Sequence, residues 1–190
     1  MVKESFFPIT KVDERGFFDI LIRRQENVSP FVKNLETMAI GEQLAFKAGR
    51  QRLAYQGSAE AITGISVAAS QMGIAPALQI LRGILSTKES DLSDAELLWL
   101  NEDESEFTCE REIESLEFRH IEKLLVTRIV EEDLYSRDVI RSEAVTESIS
   151  PYDEGRLAII CAPDYIISSL RSLFQDLGYP SENILSIPVE

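Results

Sequence analysis

The chain is poor in the residues from which many catalytic and metal sites are built. Its 190 residues include one histidine, His120, and two cysteines, Cys109 and Cys161. The cysteines lack the spacing of metal ligands and have no pair of histidines to complete a site. We therefore exclude zinc sites and Cys–His or Ser–His catalysis. With so little cysteine, we expect a reducing, intracellular compartment rather than secretion.

Long apolar runs are also missing. No run approaches the ~20 residues that a helix needs to span a bilayer. The apolar stretch near the start, Phe6–Ile9, is too short for the core of a secretory signal. The first residues, Met1–Lys11, are also not rich in arginine, as a transit peptide would be. We expect a protein that is soluble or peripheral to a membrane complex. The sequence does not distinguish the cytoplasm from the interior of an organelle.

Positive charge is in short supply. The chain has 33 acidic residues against 19 basic ones, for a formal net charge of -14. Such a surface repels phosphate backbones and anionic lipid. This charge excludes nucleic acid and bare membrane as partners and favours a protein partner with a basic patch.

The first part of the chain has the pattern of a β domain. The predicted strands are Phe6–Ile9, Phe17–Arg23 and Gln43–Lys47. Ser29 and Pro30 are typical of a helix start, and this short helix is predicted to end near Met38. The polar, basic loop 49–57 then predicts a boundary between one domain at 1–57 and another at 58–190.

From Ala61 onward the predicted elements alternate between strand and helix, which indicates a parallel sheet. The predicted strands are Ala61–Ala69, Glu96–Leu100, Leu124–Val130, Leu157–Cys161 and Asn183–Ile187. The predicted helices are Ala75–Leu85, Glu110–Glu117, Ser136–Thr146 and Asp164–Leu177. Together they predict a doubly wound, five-stranded α/β sheet. Ligands bind such sheets at the carboxyl ends of the strands, so the turns 69–76 and 161–165 are the candidate site.

Several short motifs occur in one order along nearly the whole chain. In the α/β part they are GIAPALQILR at 73–82, LLWLNE at 97–102, CAPD at 161–164 and LGYPSENI at 177–184. Before it come FFPI at 6–9, GFFDILI at 16–22 and VSPFV at 28–32. This series resembles the ferredoxin–NADP reductase and cytochrome b5 reductase superfamily, whose motifs include RxY[ST]PI, GxVSxYL, GGTGIxPxLxxLR and CGPP.

The resemblance implies a flavin domain followed by a dinucleotide-binding domain, and it assigns candidate site residues. Family positions near the flavin correspond to Phe6, Phe7, Val28 and Ser29. Family positions near the dinucleotide correspond to Met72, Gly73, Ile74, Ala75, Pro76, Cys161, Ala162 and Pro163. The acidic run Glu102–Glu106 either selects NAD over NADP at the ribose or is only a solvated face. Cys161 is predicted to be a buried strand-end residue, and Trp99 to lie in the core.

The chain departs from the family at its cofactor motifs. Glu4 replaces the arginine that holds the flavin phosphate, and Phe7 replaces a hydroxyl residue. The GGTG turn becomes 70–73, SQMG, with side chains where bare backbone approaches a pyrophosphate. Asp164 adds a carboxylate after the CAP sequence. The first strands of the flavin barrel have no counterpart, which predicts a partial antiparallel barrel with open edges.

These departures lead to the main expectation: no bound cofactor, lost flavin chemistry, and a role as an accessory subunit of a larger redox complex. Such a complex is a multi-subunit and membrane-anchored assembly in this interpretation. The candidate partner-binding residues are Phe6, Phe7, Phe17 and Phe18. One alternative is an active NAD(P)H-dependent flavoprotein oxidoreductase with FAD and NAD(P)H. Another is a nucleotide-sensing domain that binds NAD without chemistry.

Overall fold

The computed structural model describes residues 6–11, 14–23, 29–47, 49, 62–86, 92–134 and 136–189. The predicted domain boundary at 57/58 lies outside these residues, as do the candidate Val28 and the divergent Glu4.

Five strands and six helices make up the described elements. The strands are β1 (Gly64–Ser70), β2 (Asp94–Asn101), β3 (Leu124–Val130), β4 (Arg156–Ala162) and β5 (Ile184–Pro188). The helices are α1 (Pro30–Thr37), α2 (Ile74–Ser86), α3 (Glu110–Arg119), α4 (Arg137–Ile140), α5 (Glu143–Glu147) and α6 (Asp164–Asp176). The predicted helix Ser136–Thr146 is thus two short helices. The other predicted helices and the five strands of the sheet match to within three residues.

The five strands form one parallel sheet in the order β3-β2-β1-β4-β5. The chain moves outward from β1 to β3 and then returns to the other side of β1 with β4. This reversal makes the gap between β1 and β4 the switch point, where open α/β sheets bind their ligands. The predicted α/β fold is confirmed.

Both faces of the sheet are covered, so the central strands read as nearly unbroken apolar runs. Every residue of β1 and β4 is buried. One face packs Val67 and Trp99 against α2 and α3, and the other packs Leu98 against α6 through Leu170 and Phe174. Trp99 is fully buried, which confirms its predicted place in the core.

A buried polar network lies at the amino ends of the strands, opposite the candidate site. Arg156 forms ion pairs with Asp94 and, at 3.4 Å, with Glu96. Ser66 Oγ donates to Glu96 at 2.9 Å and lies 2.9 Å from the hydroxyl of Tyr179. Burial alone would lower the pKa of Arg156, but the hydrogen bond to Asp94 and the charge of Glu96 raise it. The buried charge of Arg156 at this end of the domain is therefore paired with carboxylates.

The N-terminal region differs from the expected β domain. Among its described residues the sole β-type pairing is one antiparallel bridge between Pro8 and Ile20, and residues 43–47 form no strand. The partial barrel is therefore not confirmed. Alternation along Phe17–Arg23 predicts a strand, but a strand also needs a partner to pair with, and two strands alone are marginal in water.

Packing against the α/β domain holds this N-terminal segment in place. The Gln79 amide on α2 donates to the backbone oxygens of Pro8 at 2.8 Å and Thr10 at 2.6 Å. Phe7 and Ile9 pack against the core face that α2 covers. Helix α1 begins as predicted, with Ser29 as its N-cap accepting from the Val32 N–H at 3.1 Å. None of the described helices is long and apolar enough to cross a membrane.

Candidate functional site

The turn after β1 and the end of β4 lie in direct contact at the switch point. A Cβ added to Gly73 would lie 1.7 Å from the carbonyl oxygen of Cys161 and 2.4 Å from its carbonyl carbon. Because no side chain fits there, glycine is what lets helix α2 start against β4. The structure thus brings together the two predicted candidate segments, Gly73–Pro76 and Cys161–Pro163.

Helix α2 presents its amino end to this edge of the sheet. Residues Gln71–Gly73 form a 3₁₀ turn, and the Ile74 N–H donates to the carbonyl oxygens of Gln71 and Met72. The side chains of Ile74, Ala75 and Pro76 are buried, and Met72 is half-buried. Contact with a ligand would therefore come from the turn and the positive end of the helix, which attract phosphate.

On the last residues of β1 and β2, two buried polar atoms have no hydrogen-bond partner among the described residues. They are Oγ of Ser70, at the end of β1, and Nδ2 of Asn101, at the end of β2. The other side-chain atom of Asn101, Oδ1, accepts from the Gln71 N–H at 2.8 Å. An unpaired buried polar group costs about 1–3 kcal/mol, so a polar ligand that reached these atoms would relieve it. This hydroxyl and amide suit the phosphates and ribose of a dinucleotide.

Asn101 was missed as a candidate residue when the sequence was considered alone. Its signal was a polar residue that ends the apolar run of a strand.

The Gln71 side chain joins three parts of the chain across this edge. Its Oε1 accepts from Nη1 of Arg23 at 2.7 Å, and its Nε2 donates to the Tyr165 hydroxyl at 2.9 Å. Arg23 also pairs with Glu106. We call the contacts of Gln71 with Arg23 and Tyr165 the Gln71 bridge. No sequence signal identifies it, since Arg23 lies 48 residues before Gln71.

An acidic loop follows β2 beside the same edge. Asp103 and Glu104 are exposed, and Glu106 is half-buried against Arg23. Hydrogen bonds from Ser105, one of them from its N–H at 2.7 Å, hold the pKa of Asp103 below its ordinary value. Asp103 is therefore ionised at neutral pH. A carboxylate placed after the second strand accepts from a ribose hydroxyl and repels a 2′-phosphate.

Neither cysteine is set up as a reactive thiolate. Cys161 is fully buried at the end of β4, as predicted, and burial raises its pKa well above the usual range. Burial and then the charge of Glu112 raise the pKa of Cys109. His120 ends helix α3. No group of three or more histidine, cysteine or carboxylate side chains in the described ranges could hold a metal ion.

The four phenylalanines predicted to form a partner surface separate into two pairs. Phe6 contacts Phe31 with ring centroids 5.5 Å apart, Phe7 packs against the core, and both are half-buried. Phe17 and Phe18 are 58% and 47% exposed, and Phe18 contacts Phe46. The second pair is therefore the more exposed of the two.

The family model for the oxidoreductase NAD-binding domain matches residues 69–171, more than half of the chain. Human NADH-cytochrome b5 reductase 2 is 25% identical over 214 residues, covering 98% of this chain and 77% of that protein. The cytochrome b5 reductase domain of Ulva prolifera nitrate reductase has the same fold. Its TM-score is 0.81 at 18% identity, covering 98% of this chain and 79% of that one.

A second solved structure shows the fold as well. The CS-b5R domains of human Ncb5or, in their NAD⁺ form, give a TM-score of 0.66 at 17% identity, covering 95% of this chain and 54% of that one.

The resemblance stated from the motifs is confirmed. The expectation of no cofactor is wrong, because the chain aligns along nearly its whole length with proteins named NADH reductases. The same relatives do not support the accessory-subunit hypothesis and favour its enzyme alternative.

Proposed function

Since the chain belongs to the oxidoreductase NAD-binding domain family, within the ferredoxin–NADP reductase and cytochrome b5 reductase superfamily, we propose that it is an NADH-dependent flavoprotein oxidoreductase. Its substrate in this proposal is NADH, and its electron acceptor is a protein. The observation that carries the proposal is the close contact between Gly73 and the Cys161 carbonyl, which forms a tight turn at the switch point, where open α/β sheets bind their ligands.

The residues present fit a bound NADH. The turn 71–73 and the amino end of α2 would hold the pyrophosphate, and Ser70 and Asn101 offer unpaired polar atoms beside it. Cys161 is buried as a neutral thiol, so it adds no charge of its own at the end of β4. When bound there, NADH would supply the hydride, and FAD would supply the chemistry that accepts a hydride and releases its electrons to an acceptor.

For FAD the fit rests on fewer described residues. Phe6 offers a half-buried ring beside Phe31, and the capped start of α1 at Ser29 supplies a positive helix end. Within this proposal the 1–57 part holds FAD and the 58–190 part holds NADH.

The acidic loop supports NADH rather than NADPH as the nucleotide. Asp103 is exposed and charged, and a 2′-phosphate would meet this carboxylate and its neighbour Glu104. The human relative named above is also an NADH reductase. We expect NADH to be used at least about tenfold better than NADPH.

The protein acceptor should carry a basic docking face, because this chain has a formal net charge of -14. Of the four predicted partner residues, Phe17 and Phe18 are the exposed ones offered to it. A larger membrane-anchored assembly remains a prediction that the charge and these rings motivate.

The test is NADH oxidation by the purified chain with added FAD and ferricyanide as an artificial acceptor. The proposal expects FAD-dependent turnover with NADH and much less with NADPH. Asp103→Arg should narrow that difference, whereas Glu114→Arg, the same charge change on an exposed face of α3, should not. Absence of NADH-dependent reduction in the presence of FAD would overturn the proposal.

A further inference from the structure

We propose that the Gln71 bridge is an autoinhibitory contact: NADH binds only after the Gln71 side chain breaks its hydrogen bonds to Arg23 and Tyr165. This inference deepens the proposed function and rests on it. It makes Gln71 the residue that sets the affinity of the site.

The bridge ties the two sides of the site together. Arg23 belongs to the N-terminal segment, Gln71 to the turn after β1, and Tyr165 to the first turn of α6. The distances of 2.7 Å to Arg23 and 2.9 Å to Tyr165 are those of well-formed hydrogen bonds. Both ends of the Gln71 amide are used, so the side chain is held at two points rather than left to swing.

The atoms best suited to a ligand are buried in the state in which the bridge is formed. Ser70 and Asn101 are both fully buried, yet Ser70 Oγ and Asn101 Nδ2 lack partners in the described part of the chain. The Gln71 N–H donates to Asn101 Oδ1, so the turn is tied directly to one of these two residues. A nucleotide reaches these atoms only if the turn and its side chain move.

The backbone of Gln71 is suited to such movement. Its φ of 51° is in the left-handed region, which side chains rarely adopt. Glu106 on the acidic loop forms an ion pair with Arg23, which is a second contact that fixes the N-terminal segment here. The closed state is therefore maintained by side-chain contacts against an unfavourable backbone, and removing those contacts should favour opening.

Removal of the bridge should tighten NADH binding, because the nucleotide no longer has to break these contacts. We expect Gln71→Ala to lower the Kd of NADH about tenfold, and Tyr165→Phe, which removes one of the two bonds, about threefold. Gln79→Ala is the matched control. It frees the same N-terminal segment at Pro8 and Thr10, away from the site, and should leave the Kd unchanged.

The experiment is calorimetric titration of the full chain and each variant with NADH, after thermal melting has shown that each is folded. Tighter binding in the Gln71 and Tyr165 variants, but not in Gln79→Ala, supports the inference. Equal or weaker binding in those variants overturns it and leaves the proposed function standing. If neither the unchanged chain nor any variant binds NADH, both the inference and the proposed function are wrong.

Discussion

Replacing Gly73 with alanine should destabilise the whole domain, because it forces apart two elements that meet at the switch point. The new Cβ would lie 1.7 Å from the Cys161 carbonyl oxygen, whereas ordinary contact begins at 3.4 Å. The turn and β4 would have to separate by roughly 1.7 Å, in an interior that is close-packed. Both contacting groups are backbone, so no side chain can rotate away.

The expected cost follows from this overlap. Overpacking a well-filled core costs about 1–3 kcal/mol, and we expect the upper end because the displaced atoms belong to a central strand. For a chain of this length each kcal/mol shifts Tm by roughly 2–4 °C, which predicts a drop of about 10 °C. The nearby turn would lose its geometry as well, so NADH binding should weaken.

Gly83→Ala on the same helix is the matched control. No atom lies within 4 Å of the Cβ it would gain, and alanine inside a helix is favoured over glycine by about 0.5–1 kcal/mol. Thermal melting followed by circular dichroism should therefore show opposite shifts for the two variants. A Gly73→Ala protein that melts with the unchanged chain would refute the close contact.

Three further predictions concern buried groups. Arg156→Met should lower the free energy of unfolding in urea by about 3–5 kcal/mol, because it leaves the buried Glu96 without its ion-pair partner; an unchanged midpoint would argue against the network. A thiol reagent should label Cys109 at neutral pH, and the labelling rate should increase with pH. Cys161 should stay unlabelled until the protein unfolds. Burial raises the pKa of Tyr179, so the unfolded chain loses this proton first and stability should fall as the pH rises past about 10. Tyr179→Phe should flatten that fall, and an equal slope in both proteins would exclude Tyr179 as its source.

The α/β part was predictable because its signals are local and strong. Strands buried on both faces must be apolar throughout, and β1 and β4 are. Ser29 followed by Pro30 predicted the start of α1, since the cap and the proline act within one turn. The predicted N-terminal strands are not confirmed beyond one bridge. Alternation shows only that a segment could pair, whereas pairing itself depends on neighbouring strands.

By itself, the sequence determined the number of strands from Ala61 onward and their alternation with helices, the glycine at the switch point and the family. Periodicity, caps and turn glycines act over a few residues, so they can be recognised without knowing the fold. Only the tertiary structure decided that the turn 71–73 meets the end of β4 and that Gln71 connects Arg23 with Tyr165. Those contacts join residues tens of positions apart, and their geometry exists only once the sheet has brought the carboxyl ends of its strands together.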